Sequence, residues 1–177
     1  MEPRAHDMAD LYYRRICSYF YLVLRMPGRS ADIESQTFEF GRKGYLYDIR
    51  RRKFLGYGDR ATVQVPVDEA AAFASLTEKV EGIEICRLPE KIVRGNVLRP
   101  EFKIMSKDVS PRFMLHVELR HCDDKVARFH FRRNIETVGG KAVLEFPTAF
   151  NDRKGKWTLR VEEPLTGVSA EKIFTMQ

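Results

Sequence analysis

Hydrophobic positions along this chain change period near residue 36. Over residues 7–25, Leu11, Tyr12, Ile16, Tyr19, Phe20, Val23 and Leu24 recur at spacings of three and four, with Arg14, Arg15 and Ser18 between them. That period predicts an amphipathic helix packing on a neighbour. Asp7 suits its start and Pro27-Gly28 its end. From Gln36 onward the period drops to two. Phe38 and Phe40 share a face, then Tyr45, Tyr47 and Ile49, then Val63, Val65 and Val67, with turn signals over 41–44, 50–52 and 56–59. Such alternation between turns predicts strands. The Ala-rich stretch 68–76 suits a short helix or a strand equally, and 80–86 reads as a strand. Leu88-Pro89-Glu90 marks a boundary.

After that boundary the chain reads as strands near 91–97, 100–106, 112–121, 125–132, 141–147, 156–162 and 168–175. Ser110-Pro111, Asp123-Asp124, Gly139-Gly140 and residues 151–155 and 164–167 supply turns between them. Seven short strands at this spacing predict an immunoglobulin-like β-sandwich. The Cys…Trp…Cys pattern of antibody domains is absent, so only the architecture is implied. The expected fold is therefore mainly β: an N-terminal helix and connector over 1–35, a small β domain over 36–87, and a seven-stranded immunoglobulin-like sandwich over 88–177.

Parity assigns faces. Trp157, Leu159 and Val161 point inward, with Ala142, Leu144 and Phe146 facing them, so the lone tryptophan belongs to the core and is not an exposed sugar platform. Strand 112–121 offers Phe113, Leu115, Val117 and Leu119, and strand 125–132 offers Ala127, Phe129 and Phe131. A hairpin must place both sets on one face. Pairing Val117 with Phe129 does so across the loop Cys122-Asp123-Asp124, and it sets Glu118 opposite Arg128.

Composition narrows the class. The chain has 177 residues, 44% of them hydrophobic, which suits one ordinary domain or two small ones and argues against disorder. A net charge of +6 is a weak pointer to polyanions, because 25 acidic residues accompany the 31 basic ones. Cys17, Cys86 and Cys122 are odd in number and far apart, so they form neither a disulfide framework nor a metal knuckle. Free thiols are the simpler expectation, and the compartment stays open. The apolar run 19–24 is too short to span a bilayer, and it lacks the features of a signal peptide. No transmembrane segment is expected.

Candidate chemistry is sparse. Arg50-Arg51-Arg52-Lys53 is the densest positive charge, and Tyr45, Tyr47, Phe54 and Tyr57 flank it. Aromatic plus basic groups suit single-stranded nucleic acid or another polyanion. The tyrosines, however, alternate as core residues would and the arginines fall at a hairpin tip, so a solvated turn is the favoured explanation. Arg50, Arg51, Arg52, Lys53 and Tyr57 are the candidate ligand-binding residues. A second basic cluster is Arg128, Arg132 and Arg133. The predicted register sets His116 opposite His130, and two imidazoles across a strand pair can share a metal ion. A tight site wants three or four ligands, however, and Glu118 is the one further donor, so two exposed histidines on a sheet are the simpler expectation. Asp123-Asp124 and Asn151-Asp152 offer oxygen to calcium, but turn formation accounts for them more simply. Glu39, Asp48, Glu118 and Glu145 are carboxylates with nothing to mark a hydrolytic pair. No cofactor is expected.

A longer pattern joins these pieces. Tyr47-Asp48-Ile49-Arg50 followed by Phe54-Leu55-Gly56 resembles a hairpin in the C-terminal regions of large bacterial glycoside-hydrolase-like proteins of the beta-galactosidase kind. Arg94-Gly95-Asn96-Val97, His116-Val117-Glu118-Leu119 and the ending over 149–167 continue the resemblance, which spans 38–174. It implies β-sandwich modules downstream of a catalytic barrel, and an exported or cell-surface setting. No catalytic residue carries over, because the implied active site lies in a domain outside this sequence. Arg51-Arg52 departs from the pattern, where a small turn residue is expected. The expected function is a non-catalytic accessory module, structural or carbohydrate-associated, whose partner is an upstream catalytic domain or a carbohydrate. The alternatives are nucleic-acid or polyanion binding through Arg50 to Lys53, which the mild charge disfavours, and a hydrolase with an unrecognised site.

Overall fold

The alternating stretches form strands, and pairing between distant segments decides where each strand belongs. The computed structural model describes residues 18–23, 34–65, 71–107 and 112–177, and of positions 18–23, 34, 36 and 65 the backbone alone. Two compact units divide the chain: Met1–Lys79 with Leu165–Gly167, and Val80–Pro164 with Val168–Gln177. The division at Lys79/Val80 precedes the one expected at 87/88. The strand over 82–87 explains this, because it pairs inside the second unit. Among the described residues no helix is long and apolar enough to cross a membrane.

The first unit holds a four-stranded sheet. Its strands are β1 (Ser18–Val23), β2 (Glu34–Asp48), β3 (Lys53–Val65) and β4 (Ala71–Leu76), in the order β1-β4-β2-β3. β1 corrects the expected N-terminal helix over its own length. Ser18 to Val23 pair antiparallel with Leu76 to Ala71. A six-residue run rich in Tyr, Phe and Val has high strand propensity. Over so short a run helix and strand periods are hard to separate. The remainder of the expected helix lies outside the described residues. β4 settles residues 71–76 of the Ala-rich stretch as a strand, while 68–70 lie outside the described residues. β4 sits between β1 and β2 and is buried along its whole length.

Two irregularities bend the β2–β3 hairpin. One lies between Glu39 and Gly44, the other between Leu46 and Tyr47. Bulges kink the bulged strand and raise its twist. The hairpin folds back far enough for Arg51, in its turn, to donate Nη1–H to the Gln64 carbonyl near the distal end of β3, at 2.7 Å. The fold-back encloses a core of Phe40, Leu46, Val63, Ala71 and Phe73, with Phe38, Leu55 and Ala61 packed against it.

The second unit contains β5 (Gly82–Arg87), β6 (Lys91–Ile92), β7 (Val97–Leu98), β8 (Glu101–Met105), β9 (Met114–His121), β10 (Arg132–Glu136), β11 (Lys141–Val143), β12 (Phe146–Pro147), β13 (Gly155–Glu162) and β14 (Ser169–Met176). They form a five-stranded sheet β10-β9-β13-β14-β6, a three-stranded sheet β11-β8-β5 and the pair β12-β7. Each larger sheet buries one face. Leu115, Val117, Leu119, Trp157, Leu159, Val161, Phe174 and Met176 are buried from the first, and Ile83, Phe102, Ile104 and Ala142 from the second. The arrangement is β-sandwich-like. Trp157 is core, as parity required, and donates its indole N–H to the Arg153 carbonyl at 2.9 Å.

The hairpin register after β9 differs from expectation. Val117 pairs with Arg133 and Glu118 with Arg132, so Glu118 is not the cross-strand neighbour of Arg128. Residues 129–131 form a 3-10 turn instead of a strand. Ala127 and Phe131 are buried while Phe129 is 90% exposed. Phe131 packs edge-on against Trp157, with ring centroids 5.0 Å apart. Anchoring Ala127 and Phe131 in the core shortens the ladder and pushes the residue between them outward.

Candidate functional site

The basic candidates occupy the tip of the β2–β3 hairpin, as expected. Residues 49–52 form the turn, and Arg50, Arg51, Arg52 and Lys53 are all exposed. Asp48 shapes it. This buried carboxylate accepts the Arg51 backbone N–H at 3.0 Å, and its second oxygen lies 3.6 Å from Arg51 Nη1. An Asp bonding its own turn is the usual role of this side chain. Arg51 is thus held between Asp48 and the Gln64 carbonyl. Arg52 has φ +51°, the one left-handed non-glycine backbone among the described residues. An L-residue there brings its Cβ too close to the following carbonyl oxygen, which costs about 1–2 kcal/mol. A cation therefore stands where turn geometry favours glycine. Asp48, Arg51, Lys53, Leu55, Thr62, Val63 and Gln64 line an open cleft of about 350 Å³ beside the turn.

The aromatic candidates share one face, and a bulge puts them there. Tyr45 pairs with Tyr57 and Tyr47 with Phe54. Phe54 and Tyr57 are three apart, so regular alternation would send them to opposite faces. The irregularity at Leu46/Tyr47 restores the match. Tyr45 lies 5.0 Å from Tyr57, Tyr47 lies 5.1 Å from Phe54, and Lys79 Nζ sits 5.1 Å over the Phe54 ring. Tyr47 is buried and anchors the row, while Tyr57 is 64% exposed. The hairpin end thus presents an aromatic wall beside a basic tip.

The histidine candidates are separated. His116 faces Asn134 in the β9–β10 ladder, with Nδ1 to Oδ1 at 2.7 Å, whereas His130 lies in the 3-10 turn. The four-residue change of register removes the expected facing pair. Glu118 is also occupied. It stands between Arg132 and Arg160, and Arg160 stands between Glu118 and Glu171, giving a row of alternating charge across four strands.

A cluster that the sequence reading missed lies at the end of β9. Donor atoms of His121, Cys122 and Asp123 lie within 4.8 Å of one another. His121 is buried; its Nε2–H donates to the Lys154 carbonyl at 3.1 Å, and its Nδ1 accepts the Asp123 backbone N–H at 3.3 Å. With both ring nitrogens used, the imidazole serves the turn and has no lone pair left for a metal. Alternation along β9 from Leu115 was the signal that His121 points inward. Cys86 and Cys122 are free, exposed thiols.

The remaining carboxylates have structural partners. Glu39 pairs with Arg60 at 3.2 Å and Glu145 with Arg99 at 2.7 Å. Asp124 meets Arg153 at 3.0 Å, and Asp152 accepts the Ala149 backbone N–H at 2.6 Å. Turn and surface pairing account for Asp124 and Asp152 among the oxygen donors considered for calcium.

No protein-family model matches the chain, and no curated protein matches it in sequence. Among solved structures it is similar to a beta-glucosidase from Listeria innocua, at 13% identity and a TM-score of 0.41. The similarity covers 56% of this chain and 16% of that one. The same enzyme in complex with glucose matches over the same shares, with a TM-score of 0.39.

Proposed function

We propose that this chain is a non-catalytic accessory module that binds carbohydrate through the aromatic wall at the end of the β2–β3 hairpin. On this reading the second unit is an immunoglobulin-like sandwich, and the module works beside a catalytic domain, as the resemblance over 38–174 implies. The observation that carries the proposal is Tyr57. Its ring is 64% exposed yet held against Tyr45, which pairs with it across the strands. A ring fixed before binding loses little entropy when a ligand stacks on it. The basic tip and the cleft beside it supply hydrogen-bond donors at the edge of the wall.

The test is a glycan array probed with the full chain and with Tyr57→Ala. Binding to one or more oligosaccharides that falls at least tenfold in the variant is the expected result. Binding unchanged by the variant, or no glycan bound by the parent chain, overturns the proposal.

A second reading takes the tip alone as a polyanion site. Arg52 favours it, because a cation occupies a strained backbone position at which glycine would relieve the cost. Retention on heparin that falls steeply with salt, and that weakens in Arg50→Ala/Lys53→Ala, is the expected result there.

A further inference from the structure

The segment between β9 and β10 carries the most exposed aromatic ring among the described residues. Phe129 is 90% exposed and Val126 is 63% exposed. Their position is built. Ala127 and Phe131 are buried on either side of Phe129, Phe131 packs on Trp157, and the Phe131 N–H donates to the Arg128 carbonyl at 2.9 Å. A loop pinned at two points into the core cannot withdraw its apex without losing both anchors.

Positive charge predominates around this loop. Lys125, Arg128, Arg132 and Arg133 lie between 125 and 133, with no carboxylate among those residues. Asp123 and Asp124 precede them, and Asp124 is engaged by Arg153 and Arg128. Arg132 leans on Glu118. His130 and Arg133 are exposed beside the apex.

We propose that this loop is a membrane-surface contact that inserts Phe129 and Val126 into the headgroup region of an anionic bilayer, while Lys125, Arg128 and Arg133 meet the lipid phosphates. An apolar apex inside a cationic collar is complementary to such a surface in both layers: hydrocarbon for the ring and anionic headgroups for the collar. An exposed aliphatic side chain in the same loop adds to insertion into a bilayer, whereas single-strand binding draws chiefly on the aromatic ring. The contact is separate from the hairpin-tip site and does not depend on the carbohydrate reading.

The experiment uses the full chain with phosphatidylcholine vesicles, with and without phosphatidylglycerol, in a sedimentation assay. Binding to the anionic vesicles, weakened by salt, is expected. Phe129→Ala should weaken it by about tenfold or more, because it removes most of the inserted apolar surface. Arg128→Ala and Arg133→Ala should each weaken it roughly fivefold. Phe129→Trp should keep binding and add an emission component that shifts blue on anionic vesicles, while buried Trp157 stays unchanged. Phe129 touches little of the fold, so unaltered melting of the variants separates lost binding from lost structure. The proposal is overturned if anionic vesicles are not bound, or if Phe129→Ala binds them as the parent does. It is equally overturned if an oligonucleotide or a second copy of the chain, and not the vesicles, shows the Phe129-dependent binding.

Discussion

Gly44 should not tolerate alanine, whereas Gly41, three residues earlier on the same strand, should. Neither glycine has a positive φ. An alanine at either site lowers the entropy of the unfolded chain and by itself stabilises by about 0.4–1 kcal/mol. At Gly41 a Cβ meets nothing within 4 Å, so this gain should appear in full. At Gly44 a Cβ collides with Ser75 Oγ and lies 2.9 Å from the Leu76 carbonyl oxygen. Both belong to β4, which pairs with β2 beginning at the next residue, Tyr45. The hydroxyl can rotate, but the carbonyl is fixed by the sheet. Overpacking of this kind costs about 1–3 kcal/mol. The net loss is then about 1–2 kcal/mol, or roughly 5–15 °C in the melting of a unit this small. Far-UV circular dichroism is the suitable probe, because the only tryptophan is in the second unit. Ser75→Ala should recover part of the loss in Gly44→Ala, and the Leu76 carbonyl should preserve the rest. If Gly44→Ala melts as high as Gly41→Ala, the close approach of β4 to β2 is wrong.

Two further outcomes follow from local geometry. Phe131→Ala should cost about 3–5 kcal/mol and alter Trp157 emission. Phe129→Ala, two residues away, should stay within about 0.5 kcal/mol in urea unfolding followed by the same fluorescence; equal losses would restore the strand that parity predicted. Arg52→Gly relieves about 1–2 kcal/mol of left-handed strain, of which the freer unfolded chain takes back about 0.4–1 kcal/mol, so the urea midpoint should rise by the equivalent of about 0.5–1 kcal/mol. A fall instead would mean that the contacts of its side chain outweigh the strain.

Much of the candidate site could be read in the residues, and the reasons for the exceptions are specific. The basic run and its turn lay in the order of residues, and the turn forms where Asp48 can bond the Arg51 N–H. Phe54 and Tyr57 sit on opposite faces by count, and only the bulge at Leu46/Tyr47 brings them to one face. His116 and His130 matched by parity. Parity, however, assumes that a strand continues, and the core took Phe131 and Ala127 in a turn instead. His121 was passed over because its two partners, the Lys154 carbonyl and the Asp123 N–H, are backbone groups that leave no signature in side-chain type.

The sequence alone determined that this is a chain of short alternating strands, that Trp157, Leu159 and Val161 face inward, and that positive charge gathers in the 50–53 turn. Those properties depend on neighbours two or three residues apart, where side-chain period acts directly. The tertiary structure decided that Ser18 to Val23 is a strand, that 82–87 belongs to the second unit, how β9 meets β10, and that Phe129 is left outside. Each of these rests on hydrogen bonds or packing between segments far apart in the chain, and several alternatives satisfied the local period equally well. Only the contest for core volume and ladder partners separated them.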